Sequence, residues 1–337
     1  MKAMYRNFGR TGVKVSPLCL GCMMFGRKTE PEDAYAMVDR AIDAGINFLD
    51  TANVYSRGRS EEITGEALKR NGQRDRIFLA TKVHGTMSDE DPNMQGNSRR
   101  HIIEQCEASL RRLQTDRIDL YQIHRPQSDI PIDETLRALD DLVRSGKVRY
   151  IGTSTFAAWQ VMEALWVSKE LGLNRFVCEQ TPYNLIDRRV ERELLPMART
   201  YGLAVIPWSP LAAGLLTGKY EAGKPAPADS RFGGPDKAPH THLRLTEAYW
   251  GVIGALKELA VEKEVPLSQL ALAWVMAQPG VTSPIIGPRT MEQLEDNLKA
   301  IDVLITDDDR KKLDAICAPG RMLSSFYQAD FGPHQYR

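Results

Sequence analysis

Four ionisable side chains lie at or just after consecutive apolar runs, and their types suit proton transfer to an oxygen atom. Asp50 ends the run NFLD, Lys82 ends IFLATK, His124 ends DLYQIH, and Tyr55 follows Asp50 by five residues. A phenol with a pKa of about 10 is a poor acid at neutral pH, but a neighbouring ammonium stabilises its phenolate form. A carboxylate keeps that ammonium charged, and a neutral imidazole can orient a carbonyl oxygen. The set predicts the acid-base chemistry that carbonyl reduction by hydride requires.

Each of these residues taken alone has a structural explanation. A strand-terminal aspartate often caps the following turn, a strand-end lysine usually extends to solvent, and a single histidine is usually structural. Four such residues at successive strand ends outweigh those explanations. The sequence has neither H-E-x-x-H nor G-x-S-x-G, and among its six histidines only His240 and His242 are closely spaced, in a long loop. We therefore expect no metal.

The elements that must position these residues alternate along the chain. Eight apolar or β-branched runs predict strands at 17–21, 47–50, 77–82, 118–124, 150–154, 176–180, 204–208 and 283–287. Stretches with helical period predict helices at 31–44, 60–70, 98–113, 133–145, 157–171, 189–201, 247–264, 266–278 and 291–300. Eight units without a G-x-G-x-x-G fingerprint favour an α/β fold closed into a single (β/α)8 TIM barrel over a doubly wound sheet. In such a barrel the active site lies at the C-terminal ends of the strands.

Three segments fall outside the eight units. Residues 1–15 predict a β-hairpin beneath the barrel, residues 218–245 a long loop rich in Gly, Pro and charge, and residues 319–337 a C-terminal tail. No Ser/Gly-rich linker divides the chain, so residues 1–337 are expected to form one domain. Thr29 is expected to cap the first helix and Gly45 to follow its end.

Composition excludes several classes of protein. The 337 residues are 42% hydrophobic and 26% charged, and Lys+Arg equals Asp+Glu at 44 each, so the basic excess of a nucleic-acid binder is missing. No apolar run approaches the roughly 18 residues of a membrane span, and no signal peptide is visible, so a cytoplasmic protein is expected. Cys19 and Cys22 are interpreted as a buried strand end. A small-molecule substrate is expected as partner, with a monomer and a homo-oligomer both open.

The acid-base residues also carry a resemblance to a known family. NFLDTANVY over residues 47–55, the lysine segment ATK ending at Lys82 and the histidine strand IDLYQIH ending at His124 resemble the aldo-keto reductases. The resemblance spans nearly the whole chain and points to a bacterial branch similar to potassium-channel β-subunit-like proteins and aryl or sugar aldehyde reductases. It implies hydride transfer between NADP(H) and an aldehyde, a ketone or the corresponding alcohol. Tyr55 would be the general acid, supported by Asp50, Lys82 and His124.

The resemblance also implies residues at the nicotinamide end of the cofactor. GTSTF over residues 152–156 resembles a G-x-S-N-F segment that binds the carboxamide, so Ser154 and Thr155 are expected there. Thr155 replaces the family's asparagine and offers a hydroxyl instead of an amide. Gln180 is expected on the same carboxamide, and Trp208 is expected to stack on the nicotinamide ring.

Further positions are implied along the rest of the cofactor. The full set of expected cofactor residues is Asp50, Ser154, Thr155, Gln180, Trp208, Ser209, Pro210, Leu211, Lys219, Arg231, Gly287, Arg289, Gln293, Asp296 and Asn297. The stretch 209–211 would follow the pyrophosphate, with Lys219 and Arg231 reaching phosphate. The segment IIGPRT resembles the adenosine-binding element, where Arg289 would pair with a 2′-phosphate and so favour NADPH over NADH.

Two other functions stay open at this point. A regulatory protein that binds the cofactor with little turnover, like the potassium-channel β subunits, is the first; the absence of an arm before the first hairpin counts against it. A barrel isomerase with Lys82 in a Schiff base is the second, and it requires a lysine desolvated by apolar neighbours rather than paired with Asp50. The substrate pocket is expected in loops, with sugars, keto-steroid-like toxins and small aldehydes all compatible. Its expected lining residues are Met24, Phe25, His84, Phe326, Tyr327 and Phe331.

Overall fold

The computed structural model describes residues 5–233 and 245–323, and ten short strands form the framework of this part of the chain. Two of them, β1 (Arg6–Asn7) and β2 (Lys14–Val15), pair antiparallel in an N-terminal hairpin. The other eight are parallel and hydrogen-bond in chain order. They are β3 (Cys19–Gly21), β4 (Phe48–Asp50), β5 (Phe78–Val83), β6 (Ile118–Ile123), β7 (Val148–Ser154), β8 (Cys178–Gln180), β9 (Ala204–Val205) and β10 (Ile285–Ile286).

The parallel sheet closes on itself. Strand β10 pairs with β3, which places the last strand beside the first of the parallel set. On its other side, backbone bonds from Ile285 N to Pro207 O (2.7 Å) and from Thr282 N to Val205 O (2.8 Å) join it to the β9 segment. The (β/α)8 barrel predicted from the alternation is therefore confirmed.

Helices surround the barrel and bury their apolar faces against it. They are α1 (Pro31–Asp43), α2 (Arg59–Asn71), α3 (Arg99–Arg112), α4 (Ile132–Arg144), α5 (Ala158–Glu170), α6 (Leu194–Tyr201), α7 (Glu247–Glu262), α8 (Leu267–Met276), α9 (Met291–Lys299) and α10 (Asp307–Ile316). Across residues 5–233 and 245–323, none of them combines the length and the apolar character that crossing a membrane would demand.

Three details of the helices differ from expectation. Thr29 does not cap α1: Glu30 holds the cap position without a side-chain bond, and the Thr29 hydroxyl instead donates to the Arg289 carbonyl oxygen at 3.0 Å. The helix expected over 189–201 is a short 3-10 turn followed by α6. Helix α10 was not predicted, although Thr306 and Asp309 form a capping box at its start.

Apolar side chains pack in two layers, one between strands and helices and one inside the barrel. The hairpin contributes to the inner layer through Phe8, whose ring centroid lies 5.7 Å from that of Phe48 and 4.8 Å from that of Phe78. Because those two residues begin β4 and β5, the hairpin covers the N-terminal end of the barrel. The C-terminal end is left for polar groups.

We expect Gly65→Ala to lower the free energy of unfolding by about 2 kcal/mol, because overpacking of a close contact costs about 1–3 kcal/mol. A Cβ atom at Gly65 in α2 would lie 2.5 Å from the carbonyl group of Leu113. Gly251→Ala is the control, since nothing lies within 4 Å of a Cβ there on the exposed side of α7. The free energy of unfolding of Gly251→Ala should rise by about 0.5–1 kcal/mol, because alanine favours a helix more than glycine does. Urea denaturation measures both, and a Gly65→Ala variant as stable as the parent would contradict the close packing of α2.

Candidate active site

A layer of polar side chains fills the C-terminal end of the barrel. Asp50, Lys82, Gln122 and Gln180 come from four different strands, and none is more than 3% exposed. Successive residues of a strand point to opposite faces of the sheet. Each of the four polar residues therefore points the same way as the apolar residue two positions before it, as Asp50 does with Phe48 inside the barrel. The strands therefore carry an apolar layer inside the barrel and end in a polar one.

A buried ion pair forms the centre of this layer. Lys82 Nζ donates to Asp50 Oδ1 (2.5 Å), to the Thr51 carbonyl oxygen (2.7 Å) and to Tyr55 Oη (3.3 Å). An ammonium has three N–H groups, so each of them has an acceptor. Burial alone lowers the pKa of Lys82, but the charge of Asp50 and the bonds to Asp50 and Tyr55 outweigh it, and the net shift is upward. The lysine is therefore charged at neutral pH even though it is fully buried.

The second oxygen of Asp50 is held by two amides. Oδ2 accepts from Gln122 Nε2 at 3.0 Å and from Gln180 Nε2 at 2.9 Å, and Gln180 Nε2 also donates to Gln122 Oε1 at 3.0 Å. Asp50 thus orients a lysine and does not cap a turn. Gln122 was not predicted from the sequence, although a signal existed: it is a polar residue in phase with the inward Leu120 of β6.

The loop that carries Tyr55 is tied to the neighbouring strand. Thr51 N donates to Ala80 O at 2.9 Å, and Asn53 N donates to Lys82 O at 3.1 Å, which extends the pairing of β4 with β5 beyond Asp50. Tyr55 then begins a short 3-10 turn that leads into α2. These bonds place the phenol beside the ammonium of Lys82.

His124 lies against the phenol at the end of β6. Its ring centroid is 5.7 Å from that of Tyr55, in an edge-on arrangement. Burial lowers the pKa of His124 well below its usual value, and the positive charges of Lys82 and Arg125 lower it further. The imidazole is therefore neutral at pH 7 and has one N–H to donate. The structure thus brings together Asp50, Tyr55, Lys82 and His124, as the sequence predicted for strand ends that meet at one mouth.

The segment expected to bind a carboxamide follows β7 and borders the polar layer. Ser154 Oγ donates to the Gln180 carbonyl oxygen at 3.0 Å. Thr155 has a left-handed backbone with φ 63°, and its Oγ1 accepts from Arg125 Nη1 at 2.5 Å. The Arg125 guanidinium also lies over the Trp208 ring, 5.7 Å from its centroid. A β-branched residue rarely adopts this conformation, whereas asparagine does so more readily. Threonine in place of the family's asparagine therefore makes the left-handed backbone at residue 155 less favourable.

The stretch from Trp208 to Leu211 leads away from the polar layer in an irregular path. Ser209 is left-handed with φ 58°, its Oγ accepts from Ala213 N at 3.2 Å, and its carbonyl oxygen accepts from Asn184 Nδ2 at 3.2 Å. Pro210 is buried, while the flanking Trp208, Ser209 and Leu211 are half-buried. Three of the four residues in this stretch therefore keep part of their surface exposed.

Three of the expected phosphate-binding cations lie near one another. Burial lowers the pKa of Lys219, and the charges of Arg289 and Arg231 lower it further, while the charge of Asp229 acts in the opposite direction. Arg289 Nη1 donates to the Asp229 carbonyl oxygen at 2.9 Å, and Arg289 N donates to Gln293 Oε1 at 2.9 Å. Mutual repulsion among these cations favours binding of an anion.

The other residues expected near adenosine have mixed surroundings. Both carboxylate oxygens of Asp296 accept hydrogen bonds at 2.7 Å, from Ser268 Oγ and Gln269 Nε2 of α8. That side chain therefore joins α9 to α8. Asn297 is 5% exposed, whereas Gly287 is exposed.

The expected pocket residues are only partly brought to the mouth. Phe25 has no exposed surface and packs in the layer between strands and helices, while Met24 is 5% exposed. His84 is half-buried, and its Nδ1 lies 2.9 Å from Asn97 Oδ1. Phe326, Tyr327, Phe331, His240 and His242 lie outside the described residues, as do 234–244 of the long loop and 324–337 of the tail. Within the described part, no group of three or more His, Cys, Asp or Glu side chains could hold a metal ion.

The closed parallel barrel, with an acid-base cluster at the C-terminal ends of its strands, defines the protein as a TIM barrel. Comparison with known proteins identifies the family within that class. Residues 17–318 match the aldo/keto reductase family. The chain belongs to this family and is an oxidoreductase.

Relatives of several kinds align over nearly the whole chain. An uncharacterized oxidoreductase of Bacillus subtilis (strain 168) is 42% identical over 320 residues, covering 93% of this chain and 95% of the relative. A probable voltage-gated potassium channel subunit beta of Oryza sativa subsp. japonica is 40% identical, covering 93% and 96%. A versiconal hemiacetal acetate reductase of Aspergillus parasiticus is 33% identical, covering 94% and 97%. The resemblance found from the motifs is therefore confirmed at the level of the family.

Proposed function

We propose that this oxidoreductase transfers a hydride between NADP(H) and an aldehyde, a ketone or the corresponding alcohol, with Tyr55 as general acid or base. The observation that carries the proposal is the position of Lys82 Nζ, which donates to both Asp50 Oδ1 and Tyr55 Oη inside a buried layer. An ammonium in that position stabilises the phenolate that remains when Tyr55 gives up its proton.

The chemistry divides between the cofactor and the chain. The bound cofactor supplies or accepts the hydride. In reduction, Tyr55 gives its proton to the substrate oxygen, Lys82 stabilises the phenolate, and Asp50 keeps Lys82 charged and in place. The neutral His124 donates its N–H to the same oxygen and orients it. In alcohol oxidation the direction of proton transfer reverses, with Tyr55 as the base.

The donor set at the mouth suits a phosphorylated dinucleotide. Gln180 Nε2 already donates to Asp50 and Gln122, so this residue would offer its side-chain oxygen Oε1 to a carboxamide NH2. Ser154 and Thr155 would lie beside it. The half-buried ring of Trp208 would stack on the nicotinamide. The stretch 209–211, with Lys219 and Arg231, would hold the phosphates. We also propose Gly287, Arg289, Gln293, Asp296 and Asn297 for the adenosine end, with Arg289 on the 2′-phosphate.

A second candidate function has support from one comparison. Relatives described as potassium channel β subunits are as similar to this chain as the oxidoreductases are, so a cofactor-binding regulatory protein with little turnover is the alternative. The complete acid-base set, which consists of Asp50, Tyr55, Lys82 and His124, favours turnover. A Schiff-base isomerase is disfavoured, since its lysine must be neutral to attack and Lys82 carries a raised pKa beside Asp50. Consumption of NADPH in the presence of 4-nitrobenzaldehyde would distinguish the reductase from the other two functions, and NADPH binding without turnover would distinguish the regulatory protein from the isomerase. No turnover with any aldehyde, ketone or sugar would exclude the reductase.

Replacement of Tyr55 by Phe is expected to lower kcat for this reduction by at least about 100-fold, because general acid catalysis contributes about 10²–10⁴. NADPH affinity should stay nearly unchanged, since the hydroxyl serves the substrate oxygen. Absorbance at 340 nm measures turnover, and fluorescence titration measures NADPH binding. Equal loss of turnover and binding would show that Tyr55 has a structural role instead.

Replacement of Arg289 by Ala is expected to weaken NADPH binding about 10- to 100-fold, the loss expected for a charge-assisted bond to phosphate. NADH lacks the 2′-phosphate, so its affinity should change far less. Arg111→Ala, an exposed arginine near the end of α3, is the matched control and should leave both affinities unchanged. An unchanged ratio of the two affinities in Arg289→Ala would refute the phosphate role.

A further inference from the structure

A buried carboxylate beside the carboxamide segment has no part in the acid-base set. Glu179, the central residue of β8, has no exposed surface. Its neighbours Cys178 and Gln180 face the barrel interior, so Glu179 faces outward, toward the turn that links β7 to α5. A carboxyl group is costly to bury unless hydrogen bonds satisfy it, and the partners of Glu179 therefore indicate what it does there.

The partners of Glu179 lie on both sides of the carboxamide segment. Thr153 Oγ1 donates to Glu179 Oε2 at 2.5 Å, and Phe156 N donates to Oε1 at 3.2 Å. Between these two donors lie Ser154 and Thr155, the residues expected to contact the nicotinamide carboxamide. One side chain thus joins the end of β7 to the residue after the turn.

The turn needs such support because its backbone is unfavourable for its sequence. Thr155 is left-handed at φ 63°, a backbone conformation that β-branched residues rarely adopt because of steric strain. Arg125 Nη1 holds the Thr155 hydroxyl from one side at 2.5 Å. Glu179 holds the backbone from the other side. Burial raises the pKa of Glu179 to about 8, and the bonds from Thr153 and the Phe156 N–H act against that rise.

We propose that Glu179 is a positioning residue for the cofactor, acting by holding the 153–156 turn that presents Ser154 and Thr155. The inference rests on the proposed NADP(H) function of this site. Glu179 touches neither the substrate nor the cofactor, and it acts through the backbone of the turn. Its loss should therefore weaken cofactor binding more than it slows the chemical step.

Three variants of the full chain test this role. Glu179→Met keeps the length of the side chain and removes both acceptors, whereas Glu179→Gln keeps one acceptor for the Phe156 N–H. Asp140→Leu is the matched control: Asp140 is likewise buried and accepts from a backbone N–H, that of Asn174 at 2.8 Å, but this bond lies before the start of β8, at the opposite end of the barrel. Circular dichroism establishes folding, and fluorescence titration gives the Kd for NADPH.

Glu179→Met should raise the Kd for NADPH about tenfold, because the buried Phe156 N–H loses its acceptor and the Thr153 hydroxyl loses one of its acceptors. Glu179→Gln should stay within about threefold of the parent, and Asp140→Leu should lower Tm without changing the Kd. With 4-nitrobenzaldehyde, the KM for NADPH should rise with the Kd in Glu179→Met, while kcat at saturating NADPH changes less than about threefold.

Several results would overturn the proposal. One is an unchanged Kd in folded Glu179→Met, and another is an equal loss of affinity in Asp140→Leu, which would indicate a general effect of stability. If Glu179→Met does not fold, the near-isosteric Thr153→Val removes one donor to Glu179, and an unchanged Kd there would also overturn the role. Failure of the parent protein to bind NADPH would contradict the proposed function itself, and this result is distinct from the other three.

Discussion

The pairing of Asp50 with Lys82 inside the barrel is the interaction on which the rest of the site depends. Removing two charges from water costs several kcal/mol per ion, and their attraction offsets this only when hydrogen bonds satisfy the remaining donors and acceptors. Here the three N–H groups of Lys82 have acceptors, and Gln122 and Gln180 complete the shell of Asp50. The pair therefore requires four strands to end in a fixed register, in which Lys82 lies opposite Gln122.

This requirement connects the fold to the chemistry. The interior of the barrel below the pair is apolar and is closed at its N-terminal end by Phe8 of the hairpin, so the charges interact in a region of low dielectric. Lys82 stays charged there and donates a hydrogen bond to Tyr55 Oη. The same layer includes Gln180, whose backbone carbonyl accepts from Ser154, so the acid-base set and the proposed carboxamide segment share one support. Arg125 and Glu179 extend that support to the turn after β7.

Much of the barrel was predictable from the sequence because each strand is a short apolar run and each helix has a polar face. The strand-end positions of Asp50, Lys82 and His124 followed from the same runs. The hydrogen-bond partners of these residues could not be predicted in this way. Gln180 and Asp50 are 130 residues apart in the chain, and only closure of the sheet brings them together. Gln122 and Glu179 were missed because a polar residue within a buried strand gives no indication of its partner. Thr29 was wrongly expected as a cap, since its hydroxyl donates to the carbonyl oxygen of Arg289, 260 residues away in the sequence.

The most direct test of the account is a double-mutant cycle on the buried pair. Asp50→Asn, Lys82→Met and the double variant are compared with the parent by kcat for NADPH-dependent reduction of 4-nitrobenzaldehyde at saturating NADPH. If the pair acts as a unit, each single change lowers kcat by about 100-fold or more, and the double variant is about as slow as the slower single one. Losses that multiply in the double variant would contradict the account, since they would mean that Asp50 and Lys82 act on Tyr55 independently.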